Sequence, residues 1–482
     1  MTLKKEKNLK LIKAIFQICL FLLAIICFVK NCTNVNDTDA FYLIANGQYI
    51  LKEGIPATNP FISTEGVPIV IQNWLYCVLV AFFYNWSGTN GLIIILGLQT
   101  LVAWLLTFYF LRKLKDKSLK ILFTMLFFYV FSYNNIRPEI ITYILCMLEI
   151  IGIEKYIQTN KRLWLLFLPL TVLLEINLHA SYWIMHYIIL LPYLMPIKFF
   201  DLSNSFKKNQ LIWLILMIIV SIRCLIVNPY GTEAISYIFE SLTGETFEIV
   251  STISEQQSLR LYSIDSVIII LSVVIFVILI KNKKIDSVTF WMFLGFTFLG
   301  IYKIKFISFY AIGLLFLLRK LKDFELKINA IILSVLSLVM VLFISIYIPD
   351  IMPSEIFKNE SLVKNSSYEK IEDVVNYLDK NETKDTSILA YFELGNFLEF
   401  KGYKTYYDAR PEIYPIEMLK KVNIFYNVDK TTRQNRIRIQ SFMDIDYAIV
   451  ANDSITDLDL FLSSYYKLAF KGTKYSLYKK VK

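Results

Sequence analysis

Residues 330–348 read AIILSVLSLVMVLFISIYI, an apolar stretch without one charged side chain. At about 1.5 Å per residue, a helix of this length crosses the roughly 30 Å hydrocarbon core of a bilayer. Three further runs are nearly as apolar, at Leu11–Val29, Leu92–Leu111 and Leu211–Val227. The 482 residues are 56% hydrophobic and 19% charged, which is too apolar for a protein with an ordinary water-exposed surface. The sequence therefore predicts an integral membrane protein that contacts the lipid bilayer along several helices.

The net charge of +10 comes from basic residues scattered between the apolar runs. Because they do not form one aromatic-laced basic surface, no nucleic-acid partner is predicted. Short loops rich in Lys and Arg mark the cytoplasmic side of a membrane protein. The clusters are Arg112–Lys120, Lys161–Arg162, Lys207–Lys208, Lys281–Lys284 and Arg319–Lys327. Residues 4–13 hold five more lysines, and the first run lacks a signal-peptide cleavage site, so we expect an uncleaved anchor with a cytoplasmic N-terminus.

All five clusters can lie inside only if an even number of crossings separates each from the next. Residues 69–86 are apolar but rich in Trp, Tyr, Gln and Asn, so we place them in a helix along the outer interface rather than across the membrane. Eleven spans remain, and this odd number predicts an extracytoplasmic C-terminus for a multi-pass protein of the plasma membrane. The predicted spans are 9–29, 91–111, 119–134, 139–157, 163–178, 181–197, 211–227, 266–280, 286–302, 306–319 and 328–348.

The expected architecture is an α-helical polytopic membrane domain of about 11 transmembrane helices, residues 1–349, with a first outer loop at 30–90. Residues 350–482 lack long apolar runs and are predicted to form an extracytoplasmic α/β domain. Its predicted helices are Tyr368–Leu378 and Leu394–Phe400. Its predicted strands are Ser387–Phe392, Lys404–Tyr407, Tyr447–Val450 and Tyr466–Phe470.

Six cysteines show no metal-site spacing and mostly lie in apolar segments, so we expect buried thiols. A disulfide between Cys32 and Cys77 stays open as an alternative.

Two carboxylates, Asp37 and Asp39, follow the first span in the outer loop. A pair at this spacing can bind a divalent cation, or one carboxylate can act as a general base while the other orients a substrate hydroxyl. Carboxylates in a solvated loop usually carry no chemistry, so the spacing alone leaves a purely solvated role open.

The outer loop resembles that of the GT-C superfamily of glycosyltransferases, in which an acidic motif and membrane-parallel helices follow the first span. The residues that carry this resemblance after the acidic pair are Gly47, Tyr49, Ile50, Gly54, Ile55, Pro56, Asn59-Pro60-Phe61, Gly66, Gln72-Asn73-Trp74-Leu75 and Trp86-Ser87-Gly88. Further short motifs are similar to those of bacterial relatives within that group. They are Arg137-Pro138-Glu139, Asn177-Leu178-His179, Asn228-Pro229-Tyr230-Gly231, Ala390–Gly395 and Tyr407–Pro411.

The resemblance implies an inverting glycosyltransferase that moves a sugar from a polyprenyl-phosphate-linked donor to a glycan, lipid or protein acceptor at the outer face. Asp37 or Asp39 is the implied catalytic base, and the same pair is the implied site of a divalent cation if one is used. The chain lacks the Asp-Glu pair of protein O-mannosyltransferases and the Trp-Trp-Asp-Tyr-Gly signature of oligosaccharyltransferases. Glycosylation of protein is therefore not specified.

Four basic residues are candidates for binding the phosphate of the donor: Arg137, His179, Lys303 and Lys305. The alternative is that they only anchor helix ends at the membrane interface. His186 is expected to be a hydrogen-bonded core histidine rather than a metal ligand.

The candidates on the acceptor side are Tyr391, Glu393, Asp408 and Arg410, with the alternative that Asp408 and Arg410 only stabilise the fold of their own domain. The acidic loop Thr232–Asp265 is a candidate lid, or a solvated face. Two other functions stay open: a transporter or flippase of lipid-linked saccharide, although no repeated half is evident, and a non-catalytic membrane scaffold.

Overall fold

The computed structural model divides the chain into two compact units. Unit 1 comprises Met1–Asn34, Ile93–Ile235 and Thr252–Lys358, and unit 2 comprises Val35–Leu92, Ser236–Ser251 and Asn359–Lys482. The structure describes residues 2–33, 35, 37–64, 66–131, 135–201, 206–236, 239, 254–324, 330–349, 352–357, 362, 368–410, 414–426 and 445–481.

Unit 1 is built from helices. In chain order, with α2 reserved for unit 2, they are α1 (Thr2–Cys32), α3 (Trp74–Phe110, shared with unit 2), α4 (Lys117–Phe131), α5 (Glu139–Thr159), α6 (Phe167–Leu178), α7 (Trp183–Leu194), α8 (Lys208–Cys224), α9 (Ile264–Lys281), α10 (Ser287–Tyr302), α11 (Ile307–Leu318), α12 (Ala330–Tyr347) and α13 (Pro353–Ile356). Short 3₁₀ turns precede several of them, at Arg162–Leu166, Ala180–Tyr182, Ser254–Gln256 and Ile304–Phe306.

Several of these helices expose apolar faces. On α12, Ile331 is 71% exposed and Ile346 is 67% exposed. Such faces are favourable only in a lipid environment, since water would penalise each of them. Among the described residues, four helices are long and apolar enough to cross a membrane: α1 from Lys7, α3, α9 and α12. The other predicted spans coincide with shorter or more polar helices, so the count of eleven and the side of each terminus stay predictions.

Helix α11 lies at the centre of unit 1, because every residue from Ile307 to Leu318 is buried. A helix that is apolar all round must be covered on all sides by protein or lipid. Here the cover is protein, including α10, whose Phe293 ring lies 6.5 Å from the Tyr310 ring of α11.

A kink divides α3. Ser87 and Gly88 leave the helical conformation, Gly88 with φ 55° and ψ −137°, so the helix from Trp74 to Trp86 is distinct from the one that follows. At Gly91, an added Cβ atom would lie 1.8 Å from the carbonyl oxygen of Phe83, which only glycine permits. The segment predicted to lie along the interface is helical from Trp74 onward, whereas residues 69–73 precede it in a non-helical conformation. Its position along the interface stays a prediction.

Unit 2 contains α2 (Thr38–Glu53), α14 (Glu372–Asn381), α15 (Phe392–Phe400), α16 (Ile416–Tyr426) and α17 (Ile455–Phe461). Its strands are β1 (Ser387–Leu389), β2 (Lys404–Thr405), β3 (Tyr447–Ala451), β4 (Tyr466–Lys471) and β5 (Tyr475–Lys480). They form one sheet in the order β2-β1-β3-β5-β4, with β2, β1 and β3 mutually parallel and both contacts of β5 antiparallel. Strand β5 was not predicted from the sequence, and β1 ends three residues before its predicted limit at Phe392.

The first outer loop extends this sheet at its β2 edge. The Ser63 amide donates to the Thr405 carbonyl (2.9 Å), and the Thr405 amide donates to the Phe61 carbonyl (2.8 Å). Pairing of this kind covers the exposed backbone of an edge strand. Residues from the first loop and from the C-terminal region thus share one fold.

All six cysteines are free thiols, so the Cys32–Cys77 disulfide left open above is not formed.

Candidate functional site

Asp37 is the N-cap of α2. Its Oδ1 accepts a hydrogen bond from the Asp39 backbone amide (2.9 Å) and one from the Thr38 hydroxyl (3.4 Å). The helix N-terminus stabilises negative charge, and Asp39 lies in the first turn of the same helix. The two predicted carboxylates are therefore held at one helix end rather than on an unstructured loop.

Helix α2 packs on α15 through Phe41. The Phe41 ring lies 5.1 Å from the ring of Phe397, 5.3 Å from that of Phe400 and 4.8 Å from that of Tyr368. These contacts fix the N-terminus of α2 against the C-terminal part of the chain within unit 2.

Three carboxylates interact electrostatically with Tyr368. Burial, followed by the negative charges of Glu393, Asp37 and Asp39, raises the pKa of Tyr368 above its ordinary value of 10.0. The acceptor-side candidate Glu393 and both predicted catalytic carboxylates therefore act on the same tyrosine. Tyr368 was not identified from the sequence, since a lone tyrosine before a helix carries no motif.

A second tyrosine, Tyr42, connects Asp39 with Arg410. Burial, followed by the charge of Asp39, raises the pKa of Tyr42 well above its ordinary value. Its hydroxyl accepts a hydrogen bond from Asn73 Nδ2 (3.0 Å), and the Arg410 guanidinium lies 5.3 Å from its ring centroid. Asn73 belongs to the segment that carried the family resemblance.

Arg410 forms a buried ion cluster with two carboxylates. Its Nε donates to Asp408 (3.1 Å), and its Nη2 donates to Glu399 (3.1 Å). The Tyr414 hydroxyl also donates to Asp408 (2.7 Å). Burial would raise the pKa of Asp408, but Arg410 holds it below the ordinary value of 3.8. Burial, followed by the Asp408 charge, raises the pKa of Glu399 well above 4.5.

Asn396 links this ion cluster to the acidic helix end. The side chain is fully buried, and its Nδ2 donates to the Thr38 carbonyl (3.3 Å) while its Oδ1 accepts from the Ala409 amide (3.2 Å). Asn396 therefore bridges the backbone beside Asp408 and the backbone beside Asp37.

The four acceptor-side candidates thus occupy different positions. Glu393 is exposed, Arg410 contacts Tyr42, and Asp408 is fully buried beneath Arg410. Tyr391 is held at the sheet, where its hydroxyl accepts from the Ala451 amide (3.3 Å) and its ring lies 4.3 Å from that of Tyr426.

In unit 1, two of the cationic candidates are held by one 3₁₀ turn. Arg137 Nη1 lies 3.0 Å from Glu255 Oε1, and Lys303 Nζ donates to Gln256 Oε1 (3.1 Å). Glu255 and Gln256 come from the predicted lid Thr232–Asp265, of which residues 237, 238 and 240–253 lie outside the described residues.

The other two cationic candidates are His179, which lies beside Tyr182, and Lys305. The His179 ring is 4.5 Å from the Tyr182 ring, and Lys305 interacts electrostatically with His179. Tyr182 also interacts electrostatically with Arg137 and Glu255. The structure therefore brings together side chains that the sequence places in three separate segments, and Tyr182 is the residue that sequence reasoning missed.

Thr142 defines the tautomer of His179. The Thr142 hydroxyl donates to Glu175 (2.6 Å), so the 2.8 Å contact between Thr142 and His179 Nδ1 requires Nδ1 to be the donor. In the neutral ring, Nε2 is then an acceptor.

His186 is a buried, hydrogen-bonded core histidine, as predicted. Its Nδ1 contacts Glu149, and its Nε2 lies 3.4 Å from Glu175 Oε2. The two buried glutamates were not singled out from the sequence, because each is isolated in an apolar run. Among the described residues, no group of three or more His, Cys, Asp or Glu side chains is arranged to hold a metal ion.

No protein-family profile matches the sequence. No curated protein matches it either.

Solved structures do match. The crystal structure of the Archaeoglobus fulgidus oligosaccharyltransferase tethered to an acceptor peptide aligns with a TM-score of 0.55 and 9% identity, covering 90% of this chain and 69% of that chain. Its apo form gives a TM-score of 0.50 at 9% identity over 91% and 69% of the two chains. The complex of the same archaeal enzyme, AglB, with an inhibitory peptide and a dolichol-phosphate gives 0.52 at 9% identity over 91% and 70%. The chain therefore shares the fold of an archaeal oligosaccharyltransferase, which agrees with the fold expected from the sequence resemblance.

Proposed function

We propose that this protein is a membrane glycosyltransferase that transfers a sugar from a polyprenyl-phosphate-linked donor to an acceptor hydroxyl or amide. The observation that carries the proposal is the grouping of Arg137, His179, Lys303 and Lys305 around Tyr182 and the turn Ser254–Gln256. Cations near a bilayer are costly to place and need anionic partners.

The cationic group binds the phosphate of the donor in this proposal. Lys303 and Lys305 supply positive charge, and Arg137 supplies a planar fork of donors suited to phosphate oxygens. His179 donates from Nε2 only as the imidazolium, because Nε2 is an acceptor in the neutral ring. The archaeal enzyme of the same fold has been solved with a dolichol-phosphate, which is a polyprenyl phosphate of this chemical class.

The acidic end of α2 supplies the base. Asp37 already accepts two hydrogen bonds that form the helix cap, so we assign it the orienting role and assign Asp39 the role of general base. The carboxylate of Asp39 takes the acceptor proton as the acceptor atom attacks the anomeric carbon. The bond from that carbon to the phosphate oxygen breaks with inversion, and the polyprenyl phosphate or diphosphate leaves as an anion. In an alternative form of the proposal, Asp37 and Asp39 together hold a divalent cation, and Asp39 is then a ligand rather than the base.

The test is transfer of a labelled sugar from a polyprenyl-phosphate donor by the purified Asp37→Asn, Asp39→Asn and double variants. Asparagine also caps helices, so Asp37→Asn keeps the fold while removing charge. We expect transfer by Asp39→Asn to fall by roughly 10²-fold or more, with the melting temperature unchanged. If a chelator abolishes transfer by the wild-type protein, Asp37 and Asp39 hold a cation.

A matched control is Asp116→Asn. Asp116 Oδ1 accepts from the Ser118 amide (2.8 Å) at the start of α4, so it repeats the capping geometry on another helix. Wild-type transfer by the double variant, or an equal loss in the Asp116→Asn control, would refute the assignment.

A further inference from the structure

The ends of four helices in unit 1 enclose a polar pocket of about 320 Å³. It lies between the residues that follow α3, α9 and α11 and the last turns of α5. The lining residues are Phe110, Arg112, Lys113, Glu154, Gln158, Asp201, Lys283, Lys284, Arg319, Lys320, Lys322 and Asp323. None of them belongs to the clusters assigned to transfer.

Three of the basic clusters predicted to share one side of the membrane supply this pocket. Arg112 precedes Lys283 by more than 150 residues, and Arg319 follows in a separate cluster beyond α10 and α11, yet the three side chains line the same cavity. The turn after α9 directs two lysines to it: Lys283 adopts the left-handed conformation (φ 53°), and the Lys284 amide donates to the Leu279 carbonyl (2.9 Å). This hydrogen-bond pattern is a helix C-terminal motif that ends α9 sharply.

The charge of the pocket is strongly positive. Seven basic side chains and three acidic ones line it. Two of the acidic ones are already engaged by cations, Glu154 with Arg319 (2.5 Å) and Asp323 with Lys115 (2.8 Å), and Lys320 pairs with the buried Asp286 outside the lining. Arg319 and Lys320 are therefore compensated, but the five other basic side chains of the lining repel one another, so an anion would stabilise the site.

Arg319 adds a directional donor. The guanidinium is largely buried, its side chain being 13% exposed, and Nη1 donates to Glu154. Its Nη2 is a buried atom that has no hydrogen-bond partner among the described residues. Arg319 itself lines the pocket, and phosphate oxygens are acceptors that arginine commonly binds.

The exposed apolar surface beside the pocket favours a lipid as the source of that phosphate. Phe108 and Tyr109, just before Arg112, are 46% and 38% exposed, and Ile278, just before Lys283, is 51% exposed. The cations therefore lie where the lipid-facing surface of two helices ends, which is the level of the phospholipid headgroups.

We propose that this pocket binds the phosphate of an anionic phospholipid headgroup. Basic pockets between transmembrane helices are suited to such lipids, because each Lys or Arg near the headgroups adds attraction. Nothing in this inference depends on the proposed transfer reaction.

The experiment measures binding of phosphatidylglycerol, phosphatidylcholine and inorganic phosphate to the full-length protein by native mass spectrometry. The test variant is Lys283→Gln/Lys284→Gln. The matched control is Lys161→Gln/Lys208→Gln, which removes the same charge from exposed lysines that do not line the pocket. All four lysines are exposed, so both proteins are expected to fold.

We expect wild type to retain phosphatidylglycerol in preference to phosphatidylcholine. The test variant should bind it roughly 25-fold more weakly, about 5-fold for each lysine, and the control should stay within about 2-fold of wild type. Equal losses in both variants would mean diffuse attraction and would overturn the proposal, as would an unchanged affinity in the test variant. Displacement of the lipid by millimolar inorganic phosphate would identify a free phosphate compound as the ligand and overturn the lipid assignment.

Discussion

Glu399 lies in the ion cluster with Asp408 and Arg410. It is fully buried beside Asp408, and burial together with that charge raises its pKa well above 4.5. In the unfolded chain the pKa returns to the ordinary value. The folded state therefore binds more protons above pH 4.5, and stability falls as pH rises from 4.5 through the folded pKa.

The prediction is that the melting temperature of the full-length protein decreases between pH 5 and pH 8, and that Glu399→Gln removes this part of the decrease. Glutamine imitates the protonated carboxyl, so no charge is left to desolvate. The melting temperature at each pH is measured by thermal unfolding, monitored by intrinsic fluorescence. The exposed Glu417→Gln variant is the control. A pH dependence that is the same in both variants would show that Glu399 is not the group responsible.

Single residues differ in how far the sequence predicts their position. Asp37 and Asp39 were identified because two carboxylates at fixed spacing follow an apolar span. Asn396 and Tyr182 carry no local pattern, and their importance comes from partners far away in the chain, such as Thr38 for Asn396. Residues of this kind are recognised only when the tertiary structure is known.

The kink in α3 is a property of the element as a whole. Gly88 has φ 55° and ψ −137°, and the chain then turns so closely that Gly91 touches the Phe83 carbonyl. Non-glycine residues rarely adopt the conformation of Gly88, and no side chain fits at Gly91.

We predict that Gly91→Ala destabilises the protein by about 1–3 kcal/mol through overpacking. Gly97→Ala, later in the same helix, is the control: its nearest neighbour would be 3.9 Å away at Cys32. Because alanine favours helix more than glycine does, the control should be neutral or stabilised by up to about 1 kcal/mol. Chemical unfolding of both variants in one detergent gives the comparison, and equal stabilities would mean that the close turn is not present.

Element boundaries show where sequence patterns are sufficient. Long apolar runs gave helices close to their predicted limits, as at Ala330–Tyr347. The strand Tyr475–Lys480 was missed because its lysines weaken the apolar alternation, although it pairs with both β3 and β4. Helix α11 reads like a lipid-facing span, but neighbouring helices cover it, and apolar composition cannot distinguish these two environments.

For the whole molecule, we predict on which side of the membrane two positions of the chain lie. Basic clusters fix the parity of the crossings, so a reporter fused after Lys320 should lie in the cytoplasm and one fused after Lys482 outside it. Paired alkaline phosphatase and fluorescent-protein fusions report the two locations. Identical locations would contradict the eleven-span topology.

The conformation of the first outer loop in unit 2 depends on a strand from the C-terminal part of the chain. Truncation after Phe357 removes β2, the partner of the first outer loop at Ser63 and Phe61. We expect limited proteolysis of the detergent-solubilised truncated protein to cleave within residues 54–64, which the full-length protein protects. Equal protection in both proteins would show that the loop folds without the sheet.

The pairing of Ser63 with Thr405 also sets an order of events during synthesis. The two residues are 342 positions apart. At a translation rate of roughly 5–20 residues per second, the loop waits about 17–70 s on the ribosome before its partner strand exists. Throughout that interval the acidic helix end is already made but has no sheet to fold against. A nascent chain that stalls late would therefore expose the loop, without its partner strand, to chaperones and proteases.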